Sequence, residues 1–185
     1  TTMVAIFLFA AAAARAESPI RDLLADVGLD QHLDEQVPLE LSFRDESGKV
    51  VQLKDYFDGR RPVVLSLVYY RCPMLCTQVL SGLLKSSQAV PLTIGDDYQV
   101  ISVSIDPSET PQLAAEKKKQ YVSRYHRAGG EDGWHFLTGD ADAIMKLTKA
   151  AGFRYQFDPK TRQFAHASGI LLLTPNGKIS RYFYG

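Results

Sequence analysis

Two cysteines occur in the 185-residue chain, four positions apart in Tyr70-Arg71-Cys72-Pro73-Met74-Leu75-Cys76, directly after the apolar run Val63-Val64-Leu65-Ser66-Leu67-Val68-Tyr69. A buried strand that feeds a helix with cysteines in its first turn stabilises thiolates, because unpaired backbone N–H groups and the positive helix end face the sulfurs. Side chains at i and i+4 of a helix lie about 5–6 Å apart at Cβ, so both sulfurs reach one metal ion with bonds of roughly 2.3 Å. A disulfide needs Cβ atoms about 3.8 Å apart, which strains a regular helix but is attainable if Cys72 lies in the entering loop. Both states are accessible. Soft thiolates favour Cu(I), and one added imidazole makes a three-coordinate site that also holds Cu(II).

A third donor must come from elsewhere. Four histidines are available: His32 in a polar N-terminal segment, His126 at the charged end of a helix, His135 at a strand start, and His166 in a loop before the Ile170 strand. A lone histidine is usually solvated or a satisfied core residue, and His32, His126 and His135 read that way. Met74, between the cysteines, carries a thioether that suits Cu(I), although packing or a solvent-facing position explains it as well. Arg71 would offset the negative charge of two thiolates, or is simply an exposed arginine. Asp106, ending a neighbouring strand, is either a carboxylate supporting the site or a capping residue.

The elements that must position these groups follow from periodicity. Residues 63–69 form a continuous apolar, β-branched run, as expected of a central strand buried on both faces. Val79, Leu80, Leu83 and Leu84 give helical spacing across 76–89, and a second strand covers 98–105. Thr110 caps a helix that opens on Pro111 and runs to about Tyr125. A strand at 135–137 and a helix over 141–151, capped by Asp140, come next. Two hairpins flank this series, 39–44 with 50–53 around Asp45-Glu46-Ser47-Gly48-Lys49, and 170–173 with 179–184 around Pro175-Asn176-Gly177. Residues 20–29 read as helix. Strands alternating with helices, then a terminal hairpin, predict a three-layer α/β sandwich with its chemistry at the carboxyl ends of strands, where Cys72 lies.

Composition narrows the function. The hydrophobic content of 45% fits one globular domain, and 21 basic residues balance 21 acidic ones, so no basic excess exists to hold a nucleic-acid backbone. The Lys117-Lys118-Lys119 run reads as a solvated helix face. The apolar stretch 3–14, ending in Ala14-Arg15-Ala16, reads as an export signal over residues 1–16 and is too short for the roughly 20 residues of a spanning helix. Residues 17–37 then form a polar linker or short helix, and 38–185 the domain. Export, to the periplasm or to a membrane facing it, exposes the two cysteines to oxidation unless a thiol reductant or a metal protects them.

Taken in order, these pieces resemble the Sco/SenC family, thioredoxin-fold proteins that carry copper to the CuA centre of cytochrome c oxidase. Cys72-Pro73-Met74-Leu75-Cys76 is similar to the family's C-P-x-x-C, Ile101-Ser102-Val103-Ser104-Ile105-Asp106-Pro107 to its strand ending in Asp-Pro, and His135-Phe136-Leu137-Thr138-Gly139 to its L-T-G strand. His166-Ala167-Ser168 followed by Leu171-Leu172-Leu173-Thr174-Pro175-Asn176-Gly177 resembles its histidine before an apolar strand and P-x-G turn. Tyr70-Arg71 departs from the usual aromatic-Thr before the first cysteine, 129–134 resembles a lengthened loop, and the family's C-terminal helix is expected to be missing after Gly185.

The resemblance implies a thioredoxin-like domain with an N-terminal β-hairpin and a copper site made of Cys72, Cys76 and His166. It implies as partner the oxidase's subunit II or a similar copper acceptor, and it leaves membrane association open. The competing reading is a thiol–disulfide oxidoreductase in which Cys72 attacks and Cys76 resolves, acting on the CuA-site cysteines or other exported thiols. Such enzymes usually carry C-x-x-C and a proline opposite it, whereas 163–169 contains none and offers His166. A peroxiredoxin-like thiol would have Thr three residues before the cysteine, where Tyr69 stands.

Overall fold

The β-branched run folds as expected into a central strand, β4 (Val63–Val68). The computed structural model describes residues 26–72 and 75–185. The export-signal segment, the part of the expected 20–29 helix up to residue 25, and Pro73 and Met74 lie outside the described residues.

β4 pairs in parallel with β5 (Gln99–Ser104), from Val63↔Gln99 to Val68↔Ser104, and antiparallel with β9 (Gly169–Leu173). With β6 (Trp134–Leu137) and β10 (Ile179–Tyr184) these make a five-stranded sheet in the order β10-β9-β4-β5-β6. α1 (Leu75–Ala89) and α2 (Pro111–Tyr125) connect β4 to β5 and β5 to β6. Both crossovers step the same way across the sheet, so the right-handed rule puts both helices on one face, where they contact each other. The other face falls to α4 (Ala141–Ala150), capped by Asp140, whose Oδ1 accepts from Ala143 N at 2.8 Å. This is the three-layer, thioredoxin-like arrangement read from the sequence. Thr110 holds the cap position of α2, but its side chain makes no capping bond.

Because both faces of the sheet are covered, every residue of β5 is buried, serines included. A buried hydroxyl without a partner is costly, and register resolves this. Ser66 lies opposite Ser102, its Oγ donates to Ser102 Oγ at 2.9 Å, and Trp134 Nε1 donates to the same oxygen at 3.1 Å. Trp134 stacks on Phe136 at 5.6 Å between ring centroids, and Tyr121 of α2 closes over both.

Three segments differ from expectation. Gly28–Leu29 is a strand, β1, and not helix; it pairs with β7 (Phe153–Asp158), and the Asp30–Arg154 ion pair at 2.8 Å pins the join. β7 continues into β8 (Gln163–His166), so His166 ends a strand where a loop was expected. Residues 129–134 hold a one-turn helix, α3 (Gly130–Gly133), not an open loop. Gly133 lies so close to Gly95 that a Cβ would meet its backbone N at 2.3 Å. The N-terminal hairpin forms as β2 (Ser42–Arg44) and β3 (Val50–Gln52), and the terminal hairpin turns at Gly177, φ +83°.

His135 is half-buried on β6, its ring 4.4 Å from that of Tyr56, and burial lowers its pKa to about 4, partly opposed by Glu46. A histidine whose folded pKa lies below its unfolded value of about 6.5 contributes stability above pH 6.5 that is lost as pH falls toward 4. The full loss is on the order of 3 kcal/mol at about 1.4 kcal/mol per unit. Urea denaturation across this range should show the decline, and His135→Phe should flatten it.

Candidate metal centre

Where β4 ends, Tyr69, Tyr70 and Arg71 carry the chain into Cys72, and α1 starts at Leu75 with Cys76 in its first turn. His166 arrives from the other direction, as the last residue of β8, paired with Tyr155 of β7. One ligand atom from each of Cys72, Cys76 and His166 lies within 4.8 Å of the other two. All three residues are buried: Cys72 is 8% exposed, Cys76 2% and His166 7%. The closest pair is Cys76 Sγ and His166 Nε2, 3.0 Å apart.

Hydrogen bonds decide what these atoms offer. His166 Nδ1 lies 2.8 Å from the carbonyl oxygen of Ala167, which only accepts, so the ring proton is on Nδ1 and the Nε2 lone pair faces the sulfurs. Tyr69 N donates to Cys76 Sγ at 3.2 Å, and Cys76 N donates to Cys72 Sγ at 3.3 Å. Two backbone amides at the entry to α1 thus point at sulfur. Burial nonetheless pushes the Cys76 thiol well above its ordinary range, with the Tyr69 amide opposing, and burial holds His166 below its ordinary value. A neutral thiol beside a neutral imidazole is the outcome, and a cation that binds there displaces the thiol proton.

Aromatic rings wall the site. Tyr69 meets the His166 ring edge-on at 5.8 Å, Phe153 stacks on it at 6.0 Å, and the Tyr69 hydroxyl hydrogen-bonds Cys72. Beyond Tyr69, a cleft of about 710 Å³ opens between Arg71, Asp106 and the β7–β8 hairpin, floored by Tyr155, Phe157 and Phe164. Two sulfurs and an imidazole lone pair within reach of one ion suit a soft metal cation held in low coordination.

The structure thus brings together Cys72, Cys76 and His166, and leaves His32, His126 and His135 apart from them. His32 Nδ1 faces the Ala150 carbonyl, and His126 ends α2 in the left-handed conformation. Arg71 is exposed on the rim of the cleft. Asp106 is a turn residue, its Oδ1 accepting from Ser108 N at 2.8 Å, so it does not support the sulfurs as its position in the sequence allowed. The buried carboxylate near the cysteines is Glu109, 5% exposed, which accepts from the amides of Tyr70 and Arg71. Nothing in Asp106-Pro107-Ser108-Glu109-Thr110 singles it out by residue type. Phe153 was legible, because Phe153, Tyr155 and Phe157 alternate with Arg154, Gln156 and Asp158 at strand period.

A sequence model of the SCO1/SenC family matches residues 30–185. A protein of Stutzerimonas stutzeri described as copper-binding is 27% identical over 120 residues, which cover 63% of this chain and 54% of that protein. The chain thus spans about half the length of this curated relative. Among solved structures, a protein of Aquifex aeolicus VF5 described in terms of electron transfer superposes with a TM-score of 0.69 at 27% identity, over 83% of this chain and 85% of that one. Copper-bound ScoI of Arabidopsis thaliana superposes with a TM-score of 0.63 at 21% identity, over 78% and 85% of the two chains, and so shares the fold. With the family match running across the central sheet and all three donor residues, the chain belongs to the SCO1/SenC family.

Proposed function

We propose that this chain binds one copper ion through Cys72 Sγ, Cys76 Sγ and His166 Nε2 and delivers it to the CuA centre of a cytochrome c oxidase. The observation that carries the reading is the convergence of two sulfurs not joined in a disulfide and an imidazole lone pair within 4.8 Å. Copper enters as cargo. Two thiolates and one imidazole suit Cu(I) and accommodate Cu(II), and three donors leave a position open. An acceptor thiolate occupies that position, one ligand of this chain leaves, and exchange continues until the ion has moved. A four-thiolate cage would retain the ion, and the chain has only two cysteines.

The setting proposed for this exchange is outside the cytoplasm, with residues 1–16 as export signal and 38–185 as the copper-carrying domain. No helix among the described residues is long and apolar enough to cross a membrane. A second reading rests on the unequal burial of the sulfurs. Cys72, the more exposed, attacks an acceptor disulfide as a thiolate; the mixed disulfide is resolved by Cys76, which releases a reduced dithiol and leaves Cys72–Cys76 oxidised. Regeneration then calls for an external dithiol reductant.

Copper titration of the reduced protein should give one ion per chain, with a sulfur-to-copper charge-transfer band in the Cu(II) form. Cys72→Ser and Cys76→Ser should each weaken binding by at least a hundredfold, and His166→Ala by at least tenfold with the Cu(II) band altered; unchanged binding in His166→Ala sinks the ligand assignment. The metal-free protein reducing a disulfide substrate rapidly, with no more copper affinity than Cys72→Ser, would instead favour the dithiol reading.

The pH dependence has a defined sign. Cys76 is protonated at neutral pH because burial raises its pKa, so copper must displace that proton, and affinity should rise at least about tenfold per pH unit between pH 6.5 and 8. His166, held below its ordinary value by burial, adds less proton competition in that window than an ordinary histidine would. Competition titrations against a chelator of known pH dependence measure the slope.

A further inference from the structure

The loop that delivers Cys72 is neither strand nor helix, so its backbone N–H groups need partners from outside. Three successive amides precede the cysteine. Tyr69 N donates to Cys76 Sγ, and the next two turn to one carboxylate: Tyr70 N donates to Glu109 Oε2 and Arg71 N to Glu109 Oε1, each at 2.7 Å. Ser104 Oγ donates to Glu109 Oε2 at 2.6 Å, anchoring the carboxylate to the end of β5. The backbone holds it as well, since Glu109 N donates to Asp106 O at 3.1 Å.

We infer that Glu109 is the positioning residue of the copper site: its carboxylate grips the Tyr70 and Arg71 amides and so sets where Cys72 Sγ stands relative to Cys76 and His166. This rests on the copper-binding reading above. Glu109 takes its hydrogen bonds from the Tyr70 and Arg71 amides and from Ser104, so it reaches Cys72 through the two peptide units that lead into it, and its charge also acts through space to raise the Cys76 thiol. The two oxygens do separate work, one per amide, which fixes the orientation of both units. Hydrogen bonds to an ionised acceptor are the stronger kind and among the shorter, consistent with the 2.7 Å distances. The same grip keeps the Tyr69 amide aimed at Cys76 Sγ, because Tyr69 and Tyr70 are consecutive. A carboxylate only accepts, and both of its oxygens are needed. Glutamine, equal in size, keeps one oxygen and sets an NH₂ group against an N–H, so one of the two amides loses its acceptor.

A structural role alone would make the protein less stable without altering the metal site, and two variants separate these cases. Glu109→Gln cuts into the grip on the loop, whereas Ser104→Ala removes the anchor on β5 and leaves both amide contacts in place. Copper affinity, the Cu(II) absorption band, urea midpoint and the amide proton shifts of Tyr70 and Arg71 are measured for both and for the unaltered protein. Glu109→Gln should bind copper at least tenfold more weakly, shift or weaken the charge-transfer band, and move one or both amide protons upfield. Ser104→Ala should lower the urea midpoint while keeping the band and holding affinity within about twofold. The inference is overturned if Glu109→Gln keeps the affinity and band of the unaltered protein, or if both variants lose copper in proportion to their stability. Should the unaltered protein bind no copper, the copper reading fails. Amide shifts and the alkylation rate of Cys72 in Glu109→Gln then still decide whether Glu109 sets the loop, since unchanged values for both overturn it.

Discussion

The contact between Cys76 Sγ and His166 Nε2, 3.0 Å across 90 residues of sequence, is the constraint on which the rest of the arrangement depends. One side belongs to the first turn of α1, fixed by the parallel pairing of β4 with β5. The other belongs to the end of β8, fixed by pairing with β7 and by the short link into β9, the antiparallel neighbour of β4. Central strand, helix start and hairpin therefore meet at one point. The Ala167 carbonyl then selects the tautomer that turns a lone pair toward the sulfurs. Without that hydrogen bond the same ring could present an N–H, and the site would lose an acceptor.

Burial gives the site its character. Cys76 and His166 are both pushed toward their neutral forms, which lets an apolar wall of Tyr69 and Phe153 close around them without stranding a charge. The amides of Tyr69 and Cys76 find sulfur, and those of Tyr70 and Arg71 find Glu109. A soft cation reverses the balance by replacing the thiol proton at the same atoms.

Much of this was legible in the residues, and the reason differs by element. The β-branched run of β4 and the helical spacing after Cys76 are periodic signals that need no tertiary information; they placed Cys76 at the helix start, whereas Cys72 lies in the entering loop and not in the helix's first turn. The Asp140 cap and the Pro175-Asn176-Gly177 turn are local chemistry of the same kind. His166 was reachable only through resemblance to a family, since nothing in its neighbours marks a ligand; its strand and the partner β7 went unread, although Phe153, Tyr155 and Phe157 of β7 alternate with polar residues. Leu29 read as helix because its strand exists only through pairing with Phe153, far away in sequence. Glu109 and Asp106 are both acidic and three residues apart, and only the direction of the Tyr70 and Arg71 amides distinguishes the buried clamp from the turn residue.

If two sulfurs and one imidazole nitrogen share a single copper ion, X-ray absorption of the Cu(I)-loaded protein will show two sulfur neighbours at about 2.3 Å and one nitrogen at about 2.0 Å, by analogy with zinc–thiolate and zinc–imidazole bonds, with the outer-shell scattering of an imidazole ring. A spectrum with sulfur alone, or with only nitrogen and oxygen neighbours, would contradict the shared site.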